Sequence, residues 1–117
     1  MLQPGHPWPW FKTKGPLMLN KTPAKEWLKQ ADYDIETAEF MVNGGRYFYA
    51  VFMCHLSIEK ALKGLYQWTL DKVPPKTHNL VYLLGEIHIR PAEAIGRFMV
   101  KLNEANIATR YLRIWKR

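Results

Sequence analysis

Cys54-His55-Leu56-Ser57-Ile58-Glu59-Lys60-Ala61-Leu62-Lys63-Gly64-Leu65 is the stretch whose reading decides the fold. The apolar positions around it (Tyr47, Val51, Cys54, Ile58, Ala61, Leu62, Leu65 and Trp68 or Thr69) recur at steps of three and four, the period of one face of an α-helix. The spacing predicts a helix from about Tyr47 to Leu70. Its first half is apolar on most faces, as befits a helix with neighbours on several sides. Pro74-Pro75 closes the connection after it, because the residue before a proline is pushed out of the α region.

The neighbours are legible on both sides. Upstream, Thr22 is a good N-cap and Pro23 suits a first helical turn. Trp27, Ala31, Ile35, Ala38 and Val42 then form an amphipathic stripe, with Asp32, Glu36 and Glu39 off it and Gly44-Gly45 as the stop. Downstream, Thr77 is placed to cap a third helix carrying Leu80, Val81, Leu83, Leu84 and Ile87. Pro91 opens a fourth with Ile95, Phe98, Met99, Leu102, Ala105 and Ile107. Short connections make successive helices antiparallel neighbours. Few stretches alternate with period two, and no repeat of solenoid length is present. The expected fold is all-α, an up-and-down bundle of four to five helices over residues 22–117. Residues 1–21 lack any period: five of the eight prolines fall in the first 23 positions, beside Trp8 and Trp10. They read as an irregular arm, either docked through Trp8, Trp10 and Phe11 or disordered.

Composition bounds the function. A chain of 117 residues is too short for a dinucleotide-binding α/β domain with a second lobe, and 48% apolar with 14% aromatic residues is too rich for a disordered one. Seventeen Lys and Arg against ten Asp and Glu leave +7, which favours an anionic partner. The charge is unevenly spread. Lys12, Lys14 and Lys21 lie in the arm, and Arg110, Arg113, Lys116 and Arg117 at the end, around a nearly balanced middle. That distribution suits a local anion site near Arg110 better than a broad nucleic-acid-coating surface. The single cysteine, Cys54, excludes an internal disulfide framework and a Cys-rich zinc site, and reads as a buried, inert thiol. No run approaches the ~18 apolar residues of a membrane span. Prolines interrupt any secretory apolar segment, so no membrane partner and a cytoplasmic location are expected.

No phosphate-cradling glycine loop and no His-Glu-x-x-His zinc motif is present. His6, His55, His78 and His88 are spaced so that no single helix face gathers them, which argues against a metal site. Three clusters remain. Glu59, Lys60 and Lys63 interrupt the apolar central helix. Glu59 and Lys63 are either an exposed pair worth ~0.2–0.5 kcal/mol or the rim of a groove where lysine meets phosphate. His78, after Thr77, is either packed at a helix start or an imidazole at an anion-attracting helix end. Arg110 and Tyr111, followed by Arg113, Lys116 and Arg117, are either a favourable basic last turn or a phosphate clamp.

Taken in order, these segments resemble one family. They are Trp27-Leu28-Lys29-Gln30-Ala31-Asp32-Tyr33-Asp34, Ala38-Glu39, Gly45-Arg46-Tyr47, Ala50-Val51-Phe52, the His55-to-Lys63 run, Thr77-His78-Asn79-Leu80 with Leu83-Leu84, and Asn106 to Arg110-Tyr111. From about Thr22 to Tyr111 the chain resembles the HEPN domain (higher eukaryotes and prokaryotes nucleotide-binding). The resemblance implies an all-α bundle that commonly dimerises and binds a nucleotide or RNA. It often partners a separately encoded minimal nucleotidyltransferase in a two-gene, toxin–antitoxin-like module. Carried over residue by residue, it implies a nucleotide- or phosphate-binding set of Glu59, Lys60, Lys63, His78, Arg110 and Tyr111, with no cofactor beyond a nucleotide ligand and no metal. Ribonuclease members of the wider superfamily carry an Arg, four to six residues, then a His. Here eight residues stand between Arg46 and His55, and Arg-Tyr-Leu replaces the usual Arg-Tyr-Pro at Arg110. A non-catalytic module is therefore the first expectation. The alternatives are an RNase toxin pairing His78 or His55 with Arg110, and a purely structural interaction bundle in which Glu59–Lys63 is a surface bridge.

Overall fold

The computed structural model describes residues 21–115, with side chains through residue 108. Four helices follow in chain order: α1 (Thr22–Asn43), α2 (Tyr47–Leu70), α3 (Leu80–Glu86) and α4 (Glu93–Trp115). No strand occurs among the described residues, so the fold is all-α as the periodicity predicts. The proposed arm lies outside the described residues except for Lys21, which Trp68 holds: its Nζ donates to the Trp68 carbonyl at 2.6 Å and lies 5.1 Å from the ring centre. That clip fastens the start of α1 to the end of α2.

α1 and α2 form an antiparallel hairpin around a seam of small residues. Ala24, Ala31 and Ala38 are buried at seven-residue intervals on α1, and Ala50, Ser57 and Gly64 at the same interval on α2. A seven-residue repeat keeps one narrow seam facing a partner helix, as in a coiled coil. Opposite chain directions bring Ala31 to Ser57, whose Oγ donates to the Ala31 carbonyl at 2.7 Å. They also bring Ala24 to Gly64, where an added Cβ would lie 2.7 Å from Leu28 Cγ and 3.1 Å from the Ala24 carbonyl oxygen. Small side chains thus set how closely the backbones approach.

This seam corrects the predicted stripe. The buried face of α1 is Ala24, Leu28, Ala31, Asp34 and Ala38, while Ile35 and Val42 are 45% and 48% exposed. Smallness, rather than hydrophobicity, chose the face. The caps shift as well. Lys21, without a side-chain cap bond, precedes α1, and Thr22 and Pro23 are already helical. Gly44 and Gly45 do stop α1, Gly45 at φ 74°. α2 stops at Asp71, itself left-handed at φ 54°, before the prolines are reached. Asn79, two residues after the expected Thr77, caps α3: its Oδ1 accepts from the Tyr82 amide at 3.1 Å, while Thr77 Oγ1 accepts from the Asn79 amide one turn earlier. An Asn at that position reaches the third helical amide, the usual geometry of a side-chain cap.

The other side of α2 carries the apolar core. Leu62 and Tyr66 pack with Leu80, Leu83, Leu84 and Ile87 from α3 and its end and with Leu102 from α4, flanked by Val51, Cys54, Ile58, Leu65 and Met99. Among the described residues α2 therefore touches all three other helices, whereas α1 packs on α2 alone. Burial pushes the Cys54 thiol above its ordinary range, consistent with an unreactive margin of the core. α4 is lightly packed: Met99 and Leu102 face inward, but Ile95, Phe98 and Ile107, predicted for the same buried stripe, are 52%, 51% and 65% exposed. Its neighbours are α2, which also carries α1 and α3, and the seven-residue α3, so much of the outer face of this 23-residue helix stays open. Among the described residues no helix is long and apolar enough to cross a membrane.

Candidate functional site

Glu59 is a carboxylate that α2 carries into the interior, only 4% exposed. Burying it without partners would cost several kcal/mol, and the surrounding elements supply them. Lys63, one turn on, donates from Nζ to Glu59 Oε2 at 3.0 Å, with both side chains under a tenth exposed. His78, from the connection before α3, lies with Nδ1 2.8 Å from Oε1. A carboxylate accepts, so Nδ1–H of His78 is the donor. His55, one turn before Glu59, has Nδ1 3.7 Å from the same oxygen and Nε2 3.2 Å from Asn103 Oδ1. Asn103 Oδ1 also accepts from the Leu80 amide at 3.1 Å, and its Nδ2 donates to Asn79 Oδ1 at 3.1 Å. Asn103 thus ties α4 to the start of α3 and to α2, which fixes the loop that delivers His78. Above the carboxylate, Lys63 Nζ lies 5.7 Å from the centre of the Trp27 ring, whose Nε1 donates to Gln67 Oε1 at 3.1 Å.

The fold brings together Glu59, Lys63 and His78. It does not bring Lys60 to them. One residue along a helix is a rotation of about 100°, so Lys60 faces α1, its Nζ 2.8 Å from the buried Asp34 Oδ2. That contact is an ion pair by distance, without hydrogen-bond alignment. Arg110 and Tyr111 fall within α4, and their side chains lie outside the described set. Two expectations are corrected. Glu59–Lys63 is no surface bridge, since its side chains are 5% and 9% exposed. His55 and His78, which no single helix face unites, meet at Glu59 because a loop folds one over the helix bearing the other. Even so, among the described residues no group of three or more His, Cys, Asp or Glu is placed to hold a metal ion.

Sequence reasoning missed Asn103 and Trp27 as members of the site and named His55 only for the ribonuclease alternative. His55 was findable, for His55, Glu59 and Lys63 repeat every fourth residue along one helix face. Asn103 carries no such signal, being 48 residues from His55 and 23 from Leu80.

The site lies at the basic end of the hairpin. Residues 21–30 and 59–78 hold seven lysines against Glu26, Glu59 and Asp71, a net +4, whereas residues 31–46 hold Asp32, Asp34, Glu36 and Glu39 against Arg46, a net −3. A half-exposed imidazole on a buried carboxylate, at the end of the hairpin with a net positive charge, is chemically suited to receiving an anion and to moving a proton. A family model described as the HEPN domain matches residues 24–117. No curated protein and no solved structure matches the chain.

Proposed function

The chain belongs to the HEPN family, a nucleotide- and RNA-related kind of helical module, and from that membership we propose that it binds the phosphate of a nucleotide or RNA without acting on it chemically. The observation that carries this reading is His78, exposed by 59% yet anchored at 2.8 Å to the buried Glu59 at the basic end of the hairpin. Glu59, Lys63 and His78 form the anchored part of the site. Lys60, turned to Asp34, stands apart from it, and Arg110 and Tyr111 belong to the proposed set through the family resemblance. The wider role is that of a cytoplasmic partner to a minimal nucleotidyltransferase in a two-gene, toxin–antitoxin-like pair, acting as a homodimer. The outward Ile95 and Phe98 of α4, one turn apart, favour association, since a folded chain rarely leaves such side chains together in water.

ATP, AMP or a short oligoribonucleotide should raise the melting temperature, and Arg110→Ala or His78→Gln should remove most of the rise. No rise with any of them overturns the reading. Light scattering should give a dimer mass at micromolar concentration. A second reading, RNA cleavage by His78 with Arg110, draws on the same anchoring, because a carboxylate behind an imidazole is how a general base is held. Purified protein that leaves RNA intact removes it.

A further inference from the structure

Both lysines of the α2 cluster already have countercharges inside the fold. Lys63 is paired with Glu59 at 3.0 Å and Lys60 with Asp34 at 2.8 Å, and both carboxylates are buried. Each pair is neutral as a unit, so a ligand drawing on either lysine must compete with a carboxylate that stays in place. His78 stands differently. Its Nδ1–H is committed to Glu59 Oε1, which leaves Nε2 as the ring nitrogen available to a ligand, on a side chain 59% exposed. Without a proton there, Nε2 presents a lone pair and repels a phosphate oxygen. With one, it presents an N–H and a full charge, and bonds the oxygen.

Resting on the phosphate-binding reading above, we infer that the site takes up one proton from solvent with each phosphate it binds, onto Nε2 of His78. The proton forms one N–H bond, the imidazolium donates it to a phosphate oxygen, and nothing else is made or broken. Glu59 is a positioning residue in this event, since it decides which ring nitrogen meets the ligand. Among the described residues, the charged groups around the ring come from few places. α2 supplies Glu59 directly, with Lys63 on its second oxygen and His55 3.7 Å from its first. The loop supplies the exposed Lys76, and α4 reaches the region with the uncharged Asn103. One proton-dependent charge matches one singly charged phosphodiester. It is poorly matched to the clustered charges of a triphosphate, which need several free cations at once.

The test is titration calorimetry of the full chain with a short oligouridylate lacking terminal phosphates, whose charge is constant around neutral pH. Titrations in buffers of differing ionisation enthalpy count the protons taken up. The count should rise towards one as the pH is raised, and the affinity should fall with it, by up to ~10-fold per pH unit. His78→Gln should bind roughly 10-fold more weakly or worse, with no buffer dependence. The wild-type titrations decide the matter without reliance on any variant's folding. Binding without proton uptake, uptake that survives in His78→Gln, or tighter and pH-independent binding of ATP each overturns the inference and leaves the phosphate reading standing. No binding of oligouridylate, AMP or ATP takes down both.

Discussion

The two ends of the α1–α2 hairpin invert the ordinary rule of burial in opposite ways. At the basic end, ionisable side chains are inside: His55, Glu59 and Lys63 are 2%, 4% and 7% exposed. At the acidic tip, aromatic side chains are outside: Tyr33, Phe40 and Tyr47 are 69%, 74% and 66% exposed, with Phe48 and Tyr49 at half. Hydrophobicity alone would have arranged both ends the other way. At the basic end the burial has a visible purpose, because each buried group holds another and the chain of contacts terminates in His78. Tyr33, Phe40 and Tyr47 stay largely in solvent there, and aromatic rings left outside in this way suit a contact surface. One end is built to fix a side chain, the other to meet a surface.

The contrast breaks most easily at Glu59. Glu59→Ala leaves Lys63 buried without its countercharge and releases His78, and should cost about 3–5 kcal/mol in urea unfolding, the usual cost of removing one partner of a buried pair. Glu59→Gln should fall between the two, since the amide oxygen still accepts one bond while the charge is lost. A loss below ~1 kcal/mol for Glu59→Ala means the cluster is not a fixed interior feature, and the basic end then has no special organisation to compare.

The hairpin that separates the ends is tested at Gly64. A methyl group there meets Leu28, which is 2% exposed and has no room to swing, and the Ala24 carbonyl at 3.1 Å. Overpacking of this kind costs about 1–3 kcal/mol, against a gain in helix propensity of at most ~1 kcal/mol from replacing glycine. Gly64→Ala should therefore be destabilising by about 1–2 kcal/mol in the same assay. Gly85→Ala is the matched control: its added methyl meets nothing within 4 Å, so propensity acts alone and the variant should be neutral or slightly stabilised. If the two variants behave alike, the close seam is not what joins α1 to α2.

The same seam shows which parts of the molecule the sequence discloses. The period of three and four announces α2, and prolines and glycines mark where helices stop, so element order and class are readable. Which face of α1 turns inward is not, because size rather than polarity decides it: Ala31 and Ser57 are unremarkable until Ser57 Oγ is seen 2.7 Å from the Ala31 carbonyl. The site divides along the same line. Glu59 and Lys63 announce themselves as charges in an apolar helix, and His55 follows from them by spacing. Lys60 looks like their companion in the sequence, yet helical rotation sends it to Asp34 on another element. Asn103 joins the cluster only through the packing of α4, a long-range contact that no local pattern encodes.

The acidic tip is expected to show the smallest effect, and that smallness is informative. Tyr33 and Phe40 lie seven residues apart on the outward face of α1, with Glu36 between them, turned away from α2. Replacing largely exposed side chains away from the core changes stability by about ±0.5 kcal/mol, so Tyr33→Ser with Phe40→Ser should leave the urea midpoint nearly unchanged at low protein concentration. Residues that owe nothing to the monomer but remain aromatic are then free to act between molecules, and the same double variant should lower the mass found by light scattering at micromolar concentration. A large loss of monomer stability would mean instead that the rings are covered within the folded chain. An unchanged mass would move the contact surface to the outward side chains of α4, Ile95, Phe98 and Ile107, and leave the tip for a partner of another kind.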